Sequence, residues 1–135
     1  MKNLFVKESD EVKIHLFIGL TEKGGIVADP ELSTLEEEGI DAKSVEEHDI
    51  VFRMLNFKDS VALASDMFNY SAQEQGLDFN PLAMRFEKIV KLIKSWTFKD
   101  DAGNILPCTK ENISNLHPTV ASAIGAVLDA QVPSL

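Results

Sequence analysis

The stretch 81–96, PLAMRFEKIVKLIKSW, has the most regular hydrophobic pattern in the chain. Asn80 is a favourable N-cap, and Pro81 suits the first helical position because no backbone hydrogen bond is needed there. Large apolar residues then recur at spacings of four and three: Leu82, Phe86, Ile89, Ile93 and Trp96. This spacing places them on one helix face, so we expect an α-helix over 81–96 with Trp96 in the core.

A row of basic residues steps by three along the same segment: Arg85, Lys88, Lys91 and Lys94. The predicted helix therefore has a basic face within an acidic protein. Two explanations stay open for this face. It pairs with the acidic half of its own chain, or it contacts an acidic segment of another molecule, where charge complementarity would set specificity more than affinity.

Extended segments are predicted before this helix. In EVKIHLFIGL, 11–20, residues alternate with a period of two, which is typical of a strand. TEKGG at 21–25 is a turn sequence, and residues 26–28 complete a hairpin. DIVFRMLN, 49–56, alternates again and predicts a further strand, although so short an apolar run is ambiguous.

Two more helices are predicted from apolar spacing. From Phe57 to the stop signal at Gly76, one stripe contains Phe57, Val61, Ala64 and Phe68. Residues 118–131 form the last helix, with an apolar face of Val120, Ile124, Val127 and Leu128 among many small residues. The first of these helices has a wide apolar surface, and the second has many small side chains. Either property allows close packing against a neighbour.

The resulting fold class is mainly α (α+β), with an N-terminal β-hairpin or small sheet followed by about three packed helices. The 135 residues fit a single domain, 1–135. Within it we distinguish an acidic part with short strands, 1–56, from a helical part, 57–131.

Charge and composition narrow the function classes. The net charge is −9, and 14 of the 22 acidic residues precede position 61. Such a field repels phosphate backbones and anionic membranes, so we expect neither nucleic acid nor membrane as a partner. A single cysteine, no visible signal peptide and no long apolar run predict a cytoplasmic protein.

The sequence shows no recognisable catalytic motif. His15, His48 and His117 are not spaced as metal ligands, and Cys108 has no histidine or basic neighbour in sequence. The turn DDAGN at 100–104 lacks the ligand spacing of a calcium loop. We therefore predict no catalytic residue, no metal and no cofactor, and a protein that is not an enzyme.

The segment 86–127 reads FEKIVKLIKSWTFKDDAGNILPCTKENISNLHPTVASAIGAV. Along this segment, a predicted helix that ends in Trp96 is followed by an Asp-x-Gly turn. A last helix then follows after Pro107, Thr109, Leu116 and Pro118. This order resembles the tail assembly chaperones of long-tailed bacteriophages. The earlier segment VFRMLNF, 51–57, is similar to the same family.

The resemblance implies a largely helical, non-catalytic protein that holds the tape measure protein soluble while the tail tube assembles. It also implies self-association, a location in the host cell cytoplasm, and a longer product made by translational frameshifting in many members. We predict that Phe68, Arg85, Lys88, Ile124 and Leu128 bind the partner. The alternatives are a small acidic interaction module, such as an adaptor or antitoxin, and a small enzyme.

Overall fold

The alternating segment 11–20 forms the longest strand of a four-stranded antiparallel sheet. Strand β1 (Glu11–Leu20) pairs with β2 (Ile26–Asp29) through the turn at 21–25, and the predicted hairpin is confirmed. Its other neighbour is β3 (Glu46–Arg53), which begins three residues earlier than the alternation at 49–56 suggests. This computed structural model describes residues 4–75 and 81–132, and the side chains of residues 67–75 and 81 lie outside the description.

The segment 81–96 does not form one helix. Helix α3 (Pro81–Leu92) ends before Ile93, and β4 (Ile93–Trp96) pairs with β3, which gives the sheet order β2-β1-β3-β4. Ile93 lies opposite Phe52 and Trp96 opposite Ile50, because a bulge adds one residue to β4 between them. A bulge places residues three apart on the same side of a strand. The spacing of Ile93 and Trp96 therefore imitates a helix.

The prediction of a mainly α fold was wrong. The sheet has four antiparallel strands, and one of them, β4, comes from the segment that was predicted to end a helix, so the protein has a mixed α+β fold. The remaining described helices are α1 (Leu32–Glu37), α2 (Phe57–Gln75), α4 (Lys110–Ser114) and α5 (Pro118–Gln131), with one 3-10 turn at Ala42–Ser44. None of the described helices is both long enough and apolar enough to cross a membrane.

The core lies on one face of the sheet. Val12, Ile14 and Leu16 from β1, with Ile50 and Phe52 from β3, are buried against apolar residues of the helices. The helices contribute Leu63 of α2, Ile89 and Leu92 of α3, Ile113 of α4, and Val120, Ile124 and Leu128 of α5.

Within residues 4–75 and 81–132, the opposite face of the sheet is covered at one end only. There Leu35 of α1 and Ile40 pack onto Gly19, where even a Cβ atom would lie 2.7 Å from Ile40 Cγ2. Further along β1, Lys13 and His15 are exposed. This open face carries polar side chains at the centre of the sheet.

Candidate functional site

The basic row of α3 and β4 pairs with carboxylates of its own chain. Arg85 and Lys88 both bind Asp129 of α5, Lys91 Nζ lies 2.9 Å from Asp66 Oδ2, and Lys94 Nζ lies 2.5 Å from Glu11 Oε1. Of these contacts, only Lys94 to Glu11 reaches the acidic part, 1–56. The basic row therefore pairs within the chain, but the expected pairing with the acidic half holds for Lys94 alone, because Asp66 and Asp129 belong to the helical part.

The five predicted partner residues do not form one surface. Ile124 and Leu128 are almost completely buried in the core beneath the sheet, and Lys88 is 1% exposed. Arg85 is partly buried against α5. The side chain of Phe68 lies outside the described residues. A contact through Ile124 or Leu128 would require α5 to move away from the sheet.

A different apolar surface lies where β3 ends and α2 begins. Phe57, the first residue of α2, is 77% exposed, and Val61, one turn later on the same helix face, is 46% exposed. Leu63 points the other way into the core. The apolar stripe predicted for this helix is therefore only partly used by the fold.

The N-terminal segment reaches the same place. Val6, Lys7 and Glu8 line a hollow of about 320 Å³ together with Arg53, Met54, Asn56 and Asp59. Leu4 and Phe5 precede this lining in the chain and are 78% and 82% exposed. Phe57 and Val61 likewise stand within two positions of the lining residues Asn56 and Asp59 in the chain. We call the four exposed residues that adjoin the lining in the chain, Leu4, Phe5, Phe57 and Val61, the apolar end.

Polar contacts fix the geometry of the apolar end. The Met54 N–H donates to the Asp10 carbonyl at 3.1 Å, which ties the N-terminal segment to the end of β3. The Asn56 side-chain oxygen accepts from the Asp59 N–H at 2.8 Å and so satisfies the first turn of α2. Arg53 Nη1 lies 3.8 Å from Asp59 Oδ2 across the hollow. Hydrogen bonds and one ion pair therefore hold the backbone beside the exposed apolar residues in place.

At the other end of β3 lies a larger, acid-rich hollow of about 670 Å³, lined by Glu46, His48, Phe98 and Asp101 among others. The His48 Nδ1 is 3.0 Å from the Thr97 hydroxyl oxygen, which also accepts from the Asp49 N–H. Asp100 accepts from two backbone N–H groups of its own turn. These hydrogen bonds stabilise the turn and the strand, and His48 Nε2 also lies 3.5 Å from Glu46 Oε2 in the same hollow.

His15 and Asp49 lie opposite each other at the centre of the open sheet face. The His15 Nδ1 is 2.6 Å from Asp49 Oδ1, and the His15 Nε2 is 3.5 Å from Glu47 Oε1. The hydrogen bond to Asp49 raises the pKa of His15 above its usual 6.5, and the same bond lowers the pKa of Asp49 below 3.8.

Burial raises the pKa of the Cys108 thiol, which makes it a poor nucleophile.

Comparison with protein-family models, with curated proteins and with solved structures gives no match for this chain. Among residues 4–75 and 81–132, no group of three His, Cys, Asp or Glu side chains is placed to hold a metal ion.

The apolar end was not predicted from the sequence as a candidate site, although Phe57 and Val61 belong to the apolar stripe that was predicted for α2. The signal in the N-terminal segment is the apolar pair Leu4-Phe5 within a charged stretch.

Proposed function

We propose that this protein is a tail assembly chaperone of a long-tailed bacteriophage. In this role it binds the tape measure protein in the host cytoplasm, keeps it soluble during assembly of the tail tube, and performs no catalysis. The resemblance over 86–127 supports the family, and the apolar end is the structural observation on which the proposal rests.

Exposed apolar residues are ordinary when they are scattered singly over a surface. At the apolar end, two phenylalanines, a leucine and a valine are all exposed, and each stands within two positions in the chain of a residue that lines the same hollow. Clusters of this kind, rimmed by polar groups, are typical of protein-binding surfaces. Lys7, Glu8 and the Arg53–Asp59 pair supply such a rim.

The exposed stripe of α2 suits a helical client. Phe57 and Val61 are four residues apart and so lie one above the other on the helix surface. An amphipathic helix of the client would lay its apolar side against them, as in helix-in-groove recognition. The net charge of −9 favours solubility of the resulting complex.

Co-expression with the tape measure protein encoded by the same phage tests this function. We expect the client to stay in the soluble fraction and to co-purify with several copies of the chaperone, as counted by light scattering. A tape measure protein that aggregates equally with and without this protein, with nothing co-purifying, would contradict the proposal. A stable complex with a different small protein would favour an adaptor or antitoxin instead.

A further inference from the structure

A buried lysine joins α3 to the end of α5. Lys88 is 1% exposed, and its Nζ lies 3.0 Å from Asp129 Oδ1 while donating to the Val132 carbonyl. Arg85 binds the other carboxylate oxygen, with Nε at 3.3 Å and Nη2 at 3.2 Å. One carboxylate of α5 therefore receives two cations of α3 through separate oxygens.

The end of α5 lacks electrostatic compensation of its own. Its last turn reads LDAQ, 128–131, and contains an acid and no base. An acid near the C-terminus of a helix is unfavourable because the last carbonyl groups give that end a partial negative charge. Lys88 and Arg85 supply the missing positive charge from a different helix, and Lys88 also binds the Val132 carbonyl at the C-cap.

The second half of α5 packs closely against α3. A Cβ atom added to Gly125 would overlap the Cδ of Arg85, so the arginine stem lies directly on the backbone of α5. On the core side, Ile124, Leu128 and Val132 are buried at spacings of four. The second half of α5 is thus held by one apolar row and one charge cluster.

We propose that the cluster of Arg85, Lys88, Asp129 and Val132 is a latch. While closed it holds the second half of α5 on the sheet, and breaking it releases residues 125–132 as a unit and exposes Leu128 and Val132. The latch makes this apolar row a conditional surface, distinct from the permanently exposed apolar end. The proposal of a latch does not depend on which client the protein binds.

Hydrogen exchange of the full chain, read by mass spectrometry, tests the latch. In Asp129→Asn and in Lys88→Met, we expect exchange of residues 125–132 to rise about tenfold or more, while β1 and β3 keep their wild-type rates. Lys91→Met is the matched control, because it removes an ion pair of the same helix outside the latch. It should leave exchange in α5 unchanged.

The double variant Lys88→Met/Asp129→Leu replaces the buried lysine and its half-exposed partner with apolar groups, so neither charge is left without the other. We expect it to restore slow exchange in 125–132. Wild-type rates in both single variants, an equal rise in every segment, or a double variant as fast as the singles would each overturn the latch. Should a single variant fail to fold, Arg85→Gln decides, because it removes only the half-buried cation of the latch. Exchange in 125–132 must rise in this variant relative to β1, and wild-type rates there would overturn the proposal.

Discussion

His15 and Asp49 form a 2.6 Å hydrogen bond across the β1–β3 pair, on the face of the sheet that α1 leaves open. Because the folded pKa of His15 is raised, its contribution to stability is complete below pH 6.5 and is lost as pH rises through the raised value. Because the folded pKa of Asp49 is lowered, its contribution is present above pH 3.8 and is lost as pH falls through the lowered value. The pair thus stabilises the fold most between these two limits.

We expect Asp49→Asn to lower the free energy of unfolding most between pH 3.8 and 6.5, and less on either side. The measurement is urea denaturation over a pH series, with an NMR titration of the His15 ring in both proteins. The ring of the variant should titrate closer to 6.5. Glu36→Gln, at an exposed position of α1, is the control. An unchanged His15 titration would show that the pair does not form.

Gly125→Ala tests the close contact between α5 and Arg85. Alanine favours a helix over glycine by about 1 kcal/mol, but the added methyl group would displace the arginine stem. Overpacking of this kind costs about 1–3 kcal/mol, so we expect net destabilisation in the wild type. In an Arg85→Ala background the obstacle is gone, and the same change should stabilise the protein. Thermal unfolding of the wild type, of each single variant and of the double variant gives the effect of Gly125→Ala in both backgrounds. Equal effects in the two backgrounds would contradict the close packing of Arg85 on α5.

Trp96 tests the strand that replaces the predicted helix end. Its indole N–H donates to the Leu106 carbonyl at 2.6 Å, and its ring lies in the core on β4. Trp96→Phe leaves that carbonyl without its donor, which costs about 1–3 kcal/mol besides the lost packing. Chemical denaturation measures the loss. Phe57→Leu, at an exposed position, should change stability by no more than about 0.5 kcal/mol. Equal, small effects would place Trp96 outside the core.

The sequence predicts local elements here better than their assembly. The period of two in β1 and the start of α3 at Pro81 are read from neighbouring positions alone, whereas the predicted cap Asn80 lies outside the described residues. The change from α3 to β4 at Ile93 depends on pairing with β3, some 40 residues away in the chain, and the bulge hides the strand alternation. Tertiary pairing thus overrides a helical spacing that continues to Trp96.

The same reason separates the predicted site from the observed surfaces. The apolar spacing of Ile124 and Leu128 correctly identifies a helix face, but it does not distinguish a face buried by the sheet from one offered to a partner. Asp129, which receives both Arg85 and Lys88, is more than 40 positions away from them in the chain. Only the fold shows that Phe57 and Val61 remain exposed.

The most direct test of the proposed function compares how tightly the tape measure protein is bound by the wild type and by Phe57→Ser/Val61→Ser. Leu20→Ser/Ile105→Ser removes two exposed apolar residues outside the apolar end and is the matched control. We expect the first double variant to stay folded and lose binding at least about tenfold, or roughly 1.4 kcal/mol, while the control binds like the wild type. Equal binding by all three proteins would contradict the assignment of the apolar end as the client-binding surface.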